Sequence, residues 1–100
     1  MKLRAKVKFL GKDQGGRTTA PRSGYKPQIK VGEVSTSCFI TTVDNSVEIM
    51  DFGITYDVFI ELQFEDLYID KIYIDMPIYL YEGSKLIGIG SFIRNAHVGA

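Results

Sequence analysis

The residue types that do chemistry are scarce in this chain. His97 is the single histidine, three residues from the end of the sequence, and Cys38 is the single cysteine. A general base or an activated nucleophile needs a second group within hydrogen-bond reach to orient or deprotonate it. A histidine so placed would have to fold back to find one, and no catalytic role is expected of it. A structural zinc site wants about four thiolate or imidazole ligands, so one of each does not make one. One cysteine also excludes an internal disulfide. The run Cys38-Phe39-Ile40 reads as a small buried hydrophobe, since a reactive thiol wants a basic, partly exposed pocket. The carboxylates are scattered without the spacing of a Ca²⁺ loop. A hydrolytic carboxylate pair needs only two acids that meet in space, and no spacing selects them.

Phosphate-binding loops are also missing. Gly11-Lys12-Asp13-Gln14-Gly15-Gly16-Arg17-Thr18 lacks the Gly-Lys-Ser/Thr ending that cradles a nucleotide and is followed by no helix pattern. Gly88-Ile89-Gly90 is followed by Ile93 where a dinucleotide fingerprint has glycine or alanine. No nucleotide, cofactor or metal is expected.

Recognition remains. Residues 11–30 carry Lys12, Arg17, Arg22, Lys26 and Lys30 against one acid, Asp13. Spaced cations on a glycine-containing segment can follow phosphates, and an arginine can fork onto one. The whole chain is neutral but divided: residues 1–30 hold nine basic residues and one acid, and residues 31–100 hold three basic residues and eleven acids. A basic half can mark a nucleic-acid contact. Equally, basic and acidic strands can pair across a sheet and neutralise each other.

The elements that must position these groups read as strands. Leu3, Ala5, Val7 and Phe9 alternate with Lys2, Arg4, Lys6 and Lys8, which is a half-buried strand with a basic outer face. Residues 11–28 read as one long loop, rich in glycine and proline, and a loop of that length in a small domain is often functional. Gln28–Val43 is extended with a break at Gly32, Asp44-Asn45-Ser46 is a turn, and Val47–Met50 is a short strand. Val58, Ile60, Leu62 and Phe64 form one face of another strand. Ile72, Ile74, Met76, Ile78 and Leu80 form the inner face of the next, with Tyr73, Asp75, Pro77, Tyr79 and Tyr81 outside. Pro77 has no N–H for a ladder, which predicts an edge or a bend there. Glu82-Gly83-Ser84 is a hairpin turn, Lys85–Ile93 a last strand, and residues 95–100 a flexible tail. Six or seven short strands without helical periodicity predict an all-β sandwich or closed barrel. The charged alternation of residues 1–8 is not that of a signal peptide, and no run of 18 apolar residues occurs, so a cytoplasmic protein without a membrane partner is expected.

Four motifs in register carry a resemblance. Val7-Lys8-Phe9-Leu10-Gly11-Lys12 leads into Gly15-Gly16-Arg17-Thr18-Thr19 and Tyr25-Lys26-Pro27-Gln28. Val47-Glu48-Ile49-Met50 with Gly53 follows, and Glu82-Gly83-Ser84-Lys85-Leu86-Ile87-Gly88-Ile89-Gly90 closes the series. Over residues 3–93 the chain resembles the C-terminal barrel domain of the elongation factor Tu family. The resemblance implies a single six- to seven-stranded antiparallel Greek-key barrel over residues 1–94, without catalytic residues. It also implies that Arg17, Lys26, Gln28, Gly83 and Lys85 approach the backbone of a tRNA or a related structured RNA stem; DNA is not an expected partner. The chain departs from the family at Thr18, where a histidine is usual, at Ala20-Pro21-Arg22-Ser23, and at Asp51-Phe52-Gly53 in place of a Pro-Gly turn. Its 100 residues span one barrel without the family's GTPase domain and second barrel, so elongation itself is not expected. The reading is a non-enzymatic binding module for such an RNA or for a protein partner. The protein partner would use the face bearing Tyr73, Tyr79 and Tyr81, since tyrosine is enriched at interfaces. The alternative is a small-ligand barrel or an enzyme of unfamiliar kind.

Overall fold

Alternation along a strand separates its side chains onto two faces, and six such strands here close on themselves. The computed structural model describes residues 2–93; His97 and the 95–100 tail lie outside the described residues. The strands are β1 (Leu3–Phe9), β2 (Gln28–Val31), β3 (Val34–Thr42), β4 (Thr55–Leu62), β5 (Pro77–Glu82) and β6 (Lys85–Phe92). They form a closed barrel in the order β1-β4-β3-β2-β5-β6, every pairing antiparallel. Strands β2, β3 and β4 are consecutive neighbours, and β1 lies beside β4. This is the Greek-key arrangement, with residues 10–27 as the long connection. Closure leaves no unpaired sheet edge running the length of the barrel.

The interior collects one residue in two from each strand: Leu3, Ala5, Val7 and Phe9 from β1, Ile29 and Val31 from β2, Cys38 and Ile40 from β3, Val58, Ile60 and Leu62 from β4, and Ile78 and Leu80 from β5. In β6 the pattern slips. Leu80 opposes Gly88 while Tyr81 opposes Leu86, so Ile87 is the extra residue of a bulge, and both Ile87 and Gly88 are buried. Burying each large aliphatic side chain contributes about 1.5–3 kcal/mol.

Both open ends of the barrel are stoppered by connections. At the upper end, where β1 leads out, residues 10–27 meet both the β5–β6 hairpin and the 43–54 connection, and Met50 is fully buried. At the lower end, residues 63–76 form two single-turn 3₁₀ segments, Glu65–Leu67 and Ile69–Lys71, and bury Tyr68, Ile72 and Met76. The two buried threonines of β3 fasten these stoppers. Thr36 donates its hydroxyl to the Gln63 carbonyl (3.1 Å), and Thr42 donates to the Val47 carbonyl (2.8 Å). A buried hydroxyl without such a partner would destabilise the fold, so each also fixes where its connection crosses the end.

Several expected elements differ. Gln28, where the expected loop and the expected extended stretch overlap, is the first residue of β2. Val47–Met50 is not a strand: only an isolated bridge joins Arg22 and Ile49. Phe64 leaves its strand, turned out by a left-handed backbone (φ 57°, ψ 45°). Residues 72–76 are likewise not part of β5. Asp75 is left-handed (φ 67°), and Pro77 opens the strand, a position where a missing N–H is tolerated. In each case tertiary demands at a barrel end override a local alternation.

Candidate functional site

Three surfaces gather the residues that recognition would use. The first is a groove of about 380 Å³ lined by Lys30, Gly32, Tyr73, Met76, Pro77, Tyr79 and Tyr81. It lies where the β2–β5 ladder ends. That ladder has three pairs, Gln28 with Tyr81, Ile29 with Leu80 and Lys30 with Tyr79. Below it the chain of β2 turns away at Gly32, whose φ of 62° suits the first position of a tight hairpin. The β5 strand continues down to Pro77, and Tyr73 arrives from the lower stopper. The three tyrosines expected to form a protein-facing surface therefore line one concavity. Tyr73 and Tyr79 are 54% and 44% exposed, so their rings are available to a partner.

The second surface is the upper end, which holds most of the positions expected to face RNA. Gln28 is exposed opposite Tyr81, and Lys85 is exposed opposite Glu82, with the two-residue turn Gly83-Ser84 between. Arg17 is otherwise engaged. Its guanidinium lies 4.7 Å from the centre of the Tyr25 ring. It donates to the Thr19 carbonyl (3.0 Å), the Thr19 hydroxyl (3.5 Å), the Tyr25 hydroxyl (3.1 Å) and the Glu82 carboxylate. Four of the five N–H donors of a guanidinium are thus engaged inside the chain. The Tyr25 hydroxyl also donates to Glu82. Burial, with the hydrogen bond to Glu82, raises the Tyr25 pKa; burial by itself would lower that of Arg17, but its bonds and charge partners raise it overall. Tyr25 packs edge-on against Phe9 (5.9 Å, 67°), which anchors this cluster to the core. Lys26 diverges from it, its ammonium 5.5 Å from the Phe39 ring.

The 11–27 connection is held by backbone bonds to β3 and to the 43–54 connection. Gly24 donates to Ile40 (2.7 Å), Ile40 to Tyr25 (2.8 Å), Ser23 to Glu48 (2.8 Å) and Met50 to Pro21 (2.9 Å). Gly16 is required where it stands: a β-carbon there would lie 1.9 Å from the Leu10 carbonyl oxygen.

The third surface is the outer face of β1. Among the described residues only Lys6 finds an acid across the ladder, Asp57 at 3.2 Å. Arg4 and Lys8 oppose Phe59 and Thr55, and Lys2 and Arg4 lie over the Phe59 ring at 5.4 and 5.5 Å. Cross-strand neutralisation of the basic half is therefore partial. The basic outer face expected from the alternation of Lys2, Arg4, Lys6 and Lys8 is present on β1.

Cys38 is buried, and burial pushes its thiol up to about 12, which keeps it protonated and inert at neutral pH. Among the described residues no group of three His, Cys, Asp or Glu side chains could hold a metal ion, and no helix is long and apolar enough to cross a membrane. No family model and no curated protein matches this chain, so a functional reading rests on the geometry of these surfaces.

Proposed function

We propose that the chain is a non-enzymatic protein-binding module, a barrel of the elongation factor Tu C-terminal kind, which holds an extended segment of a protein partner in the tyrosine groove. The observation that carries this reading is the convergence of Tyr73, Tyr79 and Tyr81 with Met76 and Pro77 around one concavity. Tyrosine offers a large rigid apolar ring with a polar tip, so it binds at low entropic cost and stays soluble when free. Aromatic-lined grooves take extended or polyproline-like segments, which have little conformational freedom left to lose. At the upper end Gln28, Gly83 and Lys85 are available for RNA, but Arg17 is committed to Tyr25 and Glu82, which favours the groove over the stem-binding reading.

The test is selection of displayed peptides on the immobilised protein, followed by calorimetric titration against wild type, Tyr73→Ser and a control, Lys85→Glu. Loss of affinity by about tenfold or more in Tyr73→Ser, the scale of an interface hot spot, with no change for Lys85→Glu, supports the groove. Peptides that bind Tyr73→Ser as well as wild type would sink it. A labelled tRNA that binds wild type and fails with Lys85→Glu would move the function to the upper end.

A further inference from the structure

A second concavity, of about 460 Å³, runs over β6 on the outside of the barrel and shares only Pro77 and Tyr79 with the tyrosine groove. Its floor is Ile89, Gly90 and Ser91. Glycine is enforced at position 90 by the close approach of β1 and β6, since a β-carbon there would lie 2.0 Å from the Lys6 carbonyl oxygen and 2.9 Å from the Val7 Cα. One wall is β1, with Lys6 and Lys8, and the other is β5, with Pro77 and Tyr79. The register sets these walls across the floor, since Ile89 opposes both Lys8 and Tyr79. Beyond Lys6 the cationic wall continues through Arg4 and Lys2, with Phe59 beneath them. Alternate residues of a strand recur about every 6.8 Å, a spacing comparable to successive phosphates of a stretched nucleotide chain. Lys8 has no acidic partner among the described residues, and Tyr79 presents an exposed ring.

We propose that this trough binds single-stranded nucleic acid in an extended form, with phosphates along Lys8, Lys6 and Arg4 and a base stacked on Tyr79. A cationic wall facing an aromatic one is the arrangement that serves single strands: charge follows the backbone, and a ring accepts any base. A duplex would not fit, because its bases are already stacked and cannot reach Tyr79. The inference does not rest on the tyrosine groove, since Tyr73 and Tyr81 line that groove alone.

The test is fluorescence anisotropy with a labelled oligouridylate of about 10 nucleotides, within the ~4–16 nucleotides covered by single-fold binders, and with its deoxythymidylate counterpart to separate RNA from DNA. Binding by the wild type should weaken with salt, with a log–log slope of about −0.7 per phosphate contacted. Lys8→Gln should remove about one contact from that slope, and Tyr79→Ala should weaken binding about tenfold or more. Tyr73→Ser should bind as wild type does, and thermal melts should show all three variants folded. No binding at low salt, binding unaffected by Lys8→Gln and Tyr79→Ala, or an equal loss in Tyr73→Ser would each overturn the proposal. So would equal binding of polyglutamate, which would identify a general anion or acidic-peptide surface instead.

Discussion

The two ends of this barrel do the same job by different means. Each must cover an apolar interior, and each does so with a connection that buries apolar side chains, Met50 above and Tyr68, Ile72 and Met76 below. The upper connections are tied to each other and to the hairpin by backbone bonds and by the ion pairs Arg17–Glu82 and Arg22–Glu48. Left-handed backbone there falls on glycines, Gly15, Gly24, Gly53 and Gly83. In the lower stopper, left-handed backbone falls on Phe64 and Asp75, and the segment between them displays Leu67, Tyr73 and Ile74, each more than half exposed. A left-handed non-glycine residue costs about 1–2 kcal/mol, so the lower end is strained where the upper end is relaxed. Strain kept beside exposed apolar side chains is a feature of binding surfaces. The contrast teaches that the basic, glycine-rich end, which draws attention in the sequence, is the self-satisfied one.

This contrast can be broken or sharpened by measurement. The largest effect is expected for Ile72→Ala, which removes the centre of the lower stopper and should lower the stability by about 2–5 kcal/mol in urea denaturation. A loss below that range would mean that the lower segment is not a structural stopper. Gly16→Ala should cost about 1–3 kcal/mol by the same measurement, because the Leu10 backbone must move to admit a β-carbon. For Arg17→Met, roughly 1 kcal/mol is expected, a charge-assisted bond discounted for partial exposure. Hydrogen exchange should then quicken at Tyr25 and Gly24 and stay unchanged at Leu67 and Tyr68; a change at both ends would show the ends to be coupled. Phe64→Gly should stabilise by up to about 1 kcal/mol by relieving the left-handed strain, whereas Gly24→Ala should destabilise. Equal signs for these two would erase the distinction between the ends.

The smallest effect concerns pH. The Tyr25 pKa is raised in the fold, so the folded state holds the phenolic proton more tightly than the unfolded chain does. That contribution is complete below about pH 10, the ordinary tyrosine value, and is lost as pH rises beyond it. Melting temperatures compared between wild type and Tyr25→Phe from neutral to alkaline pH should converge at high pH, with the wild type falling faster. Cys38, raised for reasons of burial alone, shares the same sign and is unaffected by that substitution.

Strand alternation by itself determined most of this architecture. The periods of Leu3–Phe9 and Val58–Leu62, the break at Gly32 and the turn at Gly83 lie where expected, because a period of two and a tight turn are local properties of a chain. Tyr79 and Tyr81 fall on the outer side of β5 as that alternation expects, whereas Tyr73 reaches the groove from the lower stopper. What only the tertiary structure decided lies at the barrel ends and seams. Alternation continues through Phe64 and from Ile72 to Met76, yet a closed barrel needs its ends covered, and that long-range demand outweighs a local pattern. Arg17 looked like a free cation until Glu82, 65 residues away, was brought beside it by closure. The glycine enforced at position 90 depends on how closely two backbones meet. Pairing across the barrel is set by closure, and no local period encodes it.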